Sequence, residues 1–115
     1  MNFIQLHLLF DELAVRLIEF TDSIAERATA LGGKAMGTVR LAAANSQLSE
    51  FPTDITNEKQ VVEVLVQRYG AYASGIRTAI ATATDDEDAI TADLFTEIGR
   101  TIDKDLWFLE AHIQG

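Results

Sequence analysis

Helix-breaking residues are scarce in this chain, and that scarcity constrains its fold more than any other feature. Proline occurs once, at Pro52, and the only adjacent glycines are Gly32 and Gly33. Before Gly32, apolar residues recur at intervals of three, four or seven, the spacing of one helix face. This stripe comprises Phe3, Leu6, Phe10, Leu13, Leu17, Phe20, Ile24 and Leu31. We predict a helix from about Asn2 to Leu31, ended by glycine in a left-handed C-cap.

Two further long helices are predicted after a connector. The connector holds a short helix at Met36–Ala44 and a loop closed by Pro52. The second long helix starts near Thr56 or Asn57, either of which is a suitable N-cap. The acidic run at 84–88 ends that helix and caps the third, which extends to about Gln114. The apolar stripes of these two helices are Val61, Leu65, Tyr69, Tyr72, Ile76 and Ile80, then Ile90, Leu94, Ile98, Ile102, Leu106, Leu109 and Ile113.

These elements predict a single all-α domain over residues 1–115, built as a helical bundle from three long helices and a connector. Gly70 and Gly75 fall inside the second long helix, where glycine lowers helix stability, so we predict that they mark a close helix approach. The acidic residues of this region are interpreted first as helix caps and solvated charge, namely Asp85, Asp86, Glu87, Asp88 and Asp93.

Composition excludes several classes of function. The chain has no cysteine, which excludes disulfides and thiolate metal sites and favours a reducing compartment. No apolar run reaches the length of a transmembrane helix, and the opening residues lack the basic region of a signal peptide. The formal charge of −9 argues against binding nucleic acid through the body of the protein, because such binding depends on Lys and Arg.

Four potential metal ligands share one side of the first helix. With His7 placed at zero and about 100° per residue, Asp11 lies near 40°, Asp22 near 60° and Glu26 near 100°. The apolar stripe lies elsewhere, near 260° on the same scale. Aliphatic residues are nevertheless interleaved with the carboxylates, namely Ala14, Val15, Ile18 and Ala25. A face of this mixed kind is expected to be covered by another surface.

The spacing of the four ligands is palindromic. His7 with Asp11, and Asp22 with Glu26, are each four residues apart, so each pair can converge on one ion. The pairs are separated by about 16 Å along the helix, too far for one ion to contact both in one chain. Both His7 with Glu26 and Asp11 with Asp22 are centred on position 16.5.

An antiparallel copy related by a two-fold axis near that position would form two identical sites. Each site would hold one imidazole and three carboxylates, a ligand set that suits iron or manganese. The simpler interpretation, a solvated acidic face with a surface histidine, stays open on periodicity alone.

Three segments of the sequence resemble the Dps mini-ferritins, the bacterial DNA-protection-during-starvation proteins. The segments are NFIQLHLLFDEL, FTDSIAERATALGG and DKDLWFLEAHI, and the resemblance extends from Asn2 to the C-terminus. It implies a ferritin-like subunit with a short extra helix, which matches the one predicted at Met36–Ala44. It also implies a hollow cytoplasmic dodecamer of two-fold dimers that oxidises Fe(II) with hydrogen peroxide or dioxygen and stores ferric oxide.

The resemblance also implies roles for individual residues. His7 and Asp11 would be ferroxidase ligands from one subunit, and Asp22 and Glu26 would come from its two-fold mate. Asp93 falls where the family has an aspartate of an iron-admitting pore, and Asp85 is a second candidate there. Family members carry a first long helix, ending in a further histidine ligand, that we expect this chain to lack. The chain is therefore expected to be an N-terminally incomplete domain that lacks the basic DNA-binding extension, and DNA is not expected as a partner.

The C-terminal helix holds a second histidine and two adjacent aromatic residues. His112 is interpreted as a surface histidine, and Trp107 and Phe108 as core or interface residues. One alternative function is a non-catalytic helical assembly whose acidic interface only binds cations. The other is a DNA-protecting protein. No membrane partner is expected.

Overall fold

The computed structural model describes residues 3–114, and every secondary-structure element in that range is an α-helix. In chain order they are α1 (Phe3–Ala30), α2 (Val39–Asn45), α3 (Glu58–Asp85) and α4 (Ala89–Ala111). The predicted all-α architecture of three long helices and a short connector helix is confirmed. The predicted start of the first helix at Asn2 lies outside the described residues.

The chain divides into two compact units, the first ending at Gln47 and the second beginning at Leu48. In the first unit, α1 ends as predicted, because Gly32 adopts a left-handed backbone with φ of 88°. The Gly33 amide then donates to the Ala28 carbonyl at 2.8 Å. The connector helix starts later than predicted, at Val39, because the Thr38 hydroxyl accepts from the Leu41 amide and caps the helix there.

Caps also set the helix boundaries of the second unit. The Asn57 side chain accepts from the amides of Lys59 and Gln60, which confirms the predicted N-cap of α3. The Asp88 carboxylate accepts from the Thr91 amide and starts α4, as the acidic run predicted. The fourth helix ends at Ala111, three residues before the predicted Gln114.

Helices α3 and α4 pack along each other to form the second unit. The largest fully buried side chains are Val62, Ile98, Ile102 and Leu109. Most of the predicted stripes are buried or half-buried, whereas Ile90 is 68% exposed. Burial raises the pKa of the Tyr72 hydroxyl above its ordinary value of 10.0.

The prediction for the α3 glycines is wrong. Among residues 3–114, nothing lies within 4 Å of a Cβ atom added to Gly70 or Gly75, so neither marks a close approach between the described helices. The close approach is at Gly99 on α4, where an added Cβ would lie 3.1 Å from Cγ2 of Ile76. Periodicity could not distinguish the two helices, because each presents glycine within an otherwise regular pattern.

Candidate metal centre

Helix α1 places the first predicted ligand pair together. The His7 Nε2 atom lies 3.6 Å from the Asp11 Oδ2 atom, one helical turn away, and both side chains are exposed. Two donor atoms each about 2.1 Å from a shared cation lie roughly 3.0–3.5 Å apart, so a small rotamer adjustment would let both contact one ion. The donor set and its separation therefore fit a divalent metal.

The second pair, Asp22 and Glu26, occupies the C-terminal half of the same helix, and both side chains are exposed. Their spacing of four residues repeats that of the first pair. Among residues 3–114, no three His, Asp or Glu side chains lie close enough to hold a metal ion. The described part of one chain therefore supplies pairs of ligands, and a site with more protein ligands needs a second source.

Large apolar side chains are exposed beside these ligands. Ile4, Leu8, Val15 and Ile18 are 54–66% exposed. On the helical projection they fall between about 20° and 100°, the same side as the four ligands. The buried residues of α1, Leu6 and Leu13, lie near 260° and 240° on that projection, close to the predicted stripe.

Two members of the predicted α1 stripe, Phe3 and Leu31, are exposed. The stripe assigned Phe3 to the buried side of α1, but this residue is 67% exposed. Its ring stacks on the His7 imidazole, with centroids 5.9 Å apart and an interplanar angle of 9°. The four-residue spacing between Phe3 and His7 was the available signal for this contact. Leu31 is also exposed, because the helix ends one residue before it.

The acidic residues near the start of α4 lie at the end of α3, in the turn that follows it and in α4 itself. Asp85 is the last residue of α3 and Asp93 lies in the second turn of α4, and both are exposed. Asp88 is the helix cap already described. The structure thus accounts for Asp88 as a cap and leaves the predicted pore role of Asp85 and Asp93 as a prediction.

The aromatic and histidine predictions at the C-terminus have different outcomes. His112 is exposed, as predicted, with its Nδ1 atom 2.7 Å from the Phe108 carbonyl oxygen. Trp107 is 60% exposed and contacts the Phe108 ring, so the core alternative is wrong for Trp107. No helix of the described chain is long and apolar enough to cross a membrane.

Comparison with known proteins supports the resemblance found in the sequence. The model of the ferritin-like domain matches residues 1–115. The DNA protection during starvation protein of Agrobacterium fabrum is 42% identical over 113 residues, which are 98% of this chain and 70% of that protein. This chain belongs to the ferritin-like Dps family.

Solved structures agree with that assignment. Dps from Staphylococcus aureus has a TM-score of 0.93 at 28% identity, over 99% of this chain and 76% of that chain. Antigen TpF1 from Treponema pallidum has a TM-score of 0.94 at 26% identity, over 100% of this chain and 74% of that chain. The ferritin-like bundle predicted from the sequence is therefore confirmed. Membership of the Dps family supports iron storage and a ferroxidase type of function in general terms. The absence of the family's first long helix stays a prediction.

Proposed function

We propose that this protein oxidises Fe(II) and stores the ferric product, at sites formed between two copies of the chain. Each site combines His7 and Asp11 of one copy with Asp22 and Glu26 of the other. The observation that carries the proposal is the palindromic spacing of these ligands on a helix face that also exposes aliphatic side chains. Iron is here the substrate and the stored cargo.

The same two-fold register brings the exposed apolar residues of α1 together. With the axis at position 16.5, Val15 faces the partner's Ile18, and Leu8 faces the partner's Ala25. The first pairing places two large aliphatic side chains against each other, and the second places a large one against a small one. Neither pairing brings two like charges together. Burial of Val15 and Ile18, which are 54% and 66% exposed in one chain, would provide the hydrophobic stabilisation of the pair of helices.

Charge explains why cation binding and association would support each other. Each proposed site collects three carboxylates and one imidazole, and a two-fold pair of chains has two such sites. Burying carboxylates without a counter-charge is costly, so a divalent cation would offset their repulsion. Two Fe(II) ions each lose one electron to one hydrogen peroxide molecule, whose O–O bond breaks and which takes up two protons to leave as two water molecules. The carboxylates would favour the more highly charged ferric product.

The family assignment supports a proposal for assembly and location. We propose a homo-oligomer built from these two-fold dimers, with the dodecameric cage of the family enclosing the iron mineral, in the cytoplasm of a bacterium. Dioxygen is the alternative oxidant. The competing function is a non-catalytic assembly in which the same acidic face binds cations without oxidising them.

Removing two of the ligand charges tests the proposal. The double variant Asp22→Asn, Glu26→Gln keeps side-chain shape but removes two anionic ligands per site, and we expect Fe(II) oxidation to fall by about 10- to 100-fold or more. The measurement is the initial rate of ferric absorbance after addition of Fe(II) and hydrogen peroxide. The matched control is Asp54→Asn, Glu63→Gln, which removes the same two charges at exposed positions outside α1 and should leave the rate unchanged.

Two outcomes would contradict the proposal. Equal oxidation rates in the ligand variant and the control variant would show that Asp22 and Glu26 are not ligands. Stoichiometric Fe(II) binding by the unsubstituted protein without any oxidation would favour the non-catalytic alternative.

Asp93 gives a separate prediction for iron uptake. Its exposed carboxylate lies near the acidic run that precedes α4, where focused negative potential attracts cations. Asp93→Asn is expected to slow iron uptake several-fold at low ionic strength without changing the mass of the assembly. The comparison is with Asp85→Asn, the second candidate. Uptake rates that stay unchanged in both variants would exclude the pore role.

A further inference from the structure

We propose that Phe3 is a positioning residue for the metal centre, which holds the His7 imidazole in the orientation that meets the cation. The inference rests on the function proposed above and adds a residue to that site. Its basis is the nearly parallel stack of the Phe3 and His7 rings, whose planes differ by 9°.

The position of Phe3 needs an explanation, because exposure of a large aromatic ring is unfavourable. Phe3 is 67% exposed, although the apolar periodicity of α1 includes it. It lies one helical turn before His7, as His7 lies one turn before Asp11. The three side chains thus follow one another along the helix, with an aromatic ring, an imidazole and a carboxylate in succession.

Stacking restricts the motion that matters for a histidine ligand. Rotation of the imidazole about its terminal torsion is broad and weakly restrained, so a free ring samples many orientations. The Phe3 ring lies nearly parallel to the imidazole and is displaced sideways from it, with the two centroids 5.9 Å apart. The edge of the imidazole carries Nε2, which faces the Asp11 carboxylate at 3.6 Å. An aromatic neighbour therefore reduces the orientational freedom that metal binding would otherwise have to remove.

The proposal distinguishes an aromatic ring from simple apolar bulk. Phe3→Leu keeps an apolar side chain but removes the stack, whereas Phe3→Tyr and Phe3→Trp retain it. We expect Phe3→Leu to weaken binding of Zn(II), a redox-inert probe, by about three- to ten-fold. The Fe(II) concentration at half-maximal oxidation rate should rise by a similar factor, while the maximal rate stays close to that of the unsubstituted protein.

The stack also has a direct spectroscopic signature. The chain has two histidines, His7 and His112, so two sets of imidazole signals are expected from selectively labelled protein. The ring current of Phe3 should displace the His7 signals, and Phe3→Leu should remove that displacement while His112 stays unchanged. Phe51→Leu is the matched control, because Phe51 is a partly exposed phenylalanine in the other unit.

The outcomes separate this inference from the function on which it rests. The positioning role is supported if Phe3→Tyr and Phe3→Trp keep the Zn(II) affinity and the displaced His7 signals of the unsubstituted protein, while Phe3→Leu loses both. Unsubstituted affinity in Phe3→Leu, or equal weakening in all three variants, overturns it. If Asp22→Asn, Glu26→Gln weakens Zn(II) binding while Phe3→Leu does not, only the inference fails. If neither variant changes the affinity, the proposed metal centre itself is wrong.

Discussion

Two inactive variants of this chain are expected to recover Fe(II) oxidation when they assemble with each other. The first variant is His7→Ala, Asp11→Asn, and the second is Asp22→Asn, Glu26→Gln. In a mixed pair, one of the two proposed sites loses all four ligands and the other keeps all four, because each site takes its ligands from both chains. Random pairing of equal amounts makes about one half of all pairs mixed, and each mixed pair keeps one of its two sites. About one quarter of the unsubstituted rate should therefore return in a large mixed assembly, and about one half in a purified mixed dimer.

The experiment needs proof that the two chains occupy the same assembly. Co-expression with two different affinity tags and purification through both tags selects mixed assemblies, and each variant carried through the same procedure alone is the control. Recovered oxidation would require ligands from two chains. A mixed assembly as inactive as its components would show that His7 and Asp11 do not share a site with Asp22 and Glu26 of a partner.

The helical periodicity predicted most of the fold because each long helix has its own start and stop signals. Asn57 and Asp88 cap α3 and α4 through side-chain oxygens that accept backbone amides, and Gly32 ends α1 with a positive φ. Helix caps of this kind depend on a few adjacent residues, so they can be predicted from the sequence without the tertiary structure.

Predictions that depend on which neighbour a residue meets were less successful. Gly75 and Gly99 both interrupt a helix, but within the described part of the chain only Gly99 has another side chain close to the position of an added Cβ atom, that of Ile76. Phe3 and Ile90 continue apolar stripes and are nevertheless exposed, since each is at the beginning of its helix. A period identifies a helix face, whereas burial at the ends of that face depends on how far the neighbouring elements extend.

In the candidate site, too, contacts between neighbouring residues of one helix are predictable from the sequence, whereas contacts with another element are not. The four-residue spacing of His7 and Asp11 predicted their proximity, and the structure places them 3.6 Å apart. A shared site with Asp22 and Glu26 requires a second copy of the chain. The spacing of residues within one chain does not specify how two copies associate. The palindrome forms complete ligand sets only if a two-fold axis passes near position 16.5, and the mixed assembly of the two ligand variants tests for that axis.

A charge placed near that axis is expected to separate the two chains without touching any ligand. Ile18 is 66% exposed and faces the partner's Val15 in the proposed register. Ile18→Glu would bury two unpaired carboxylates per pair of chains, and we expect association to weaken by about 100-fold or more. Fe(II) oxidation should fall with it, although His7, Asp11, Asp22 and Glu26 are all retained.

A compensating substitution makes this prediction specific to the register. Adding Val15→Arg to Ile18→Glu would place opposite charges across the axis, so association and oxidation should both recover in part. Val39→Glu is the matched control, because Val39 is 86% exposed and lies outside α1. The mass in solution by light scattering and the initial oxidation rate are the two measurements. If Ile18→Glu keeps the mass and rate of the Val39→Glu control, position 16.5 is not the centre of an interface. If Ile18→Glu separates the chains and Val15→Arg does not rescue them, α1 forms an interface in a different register.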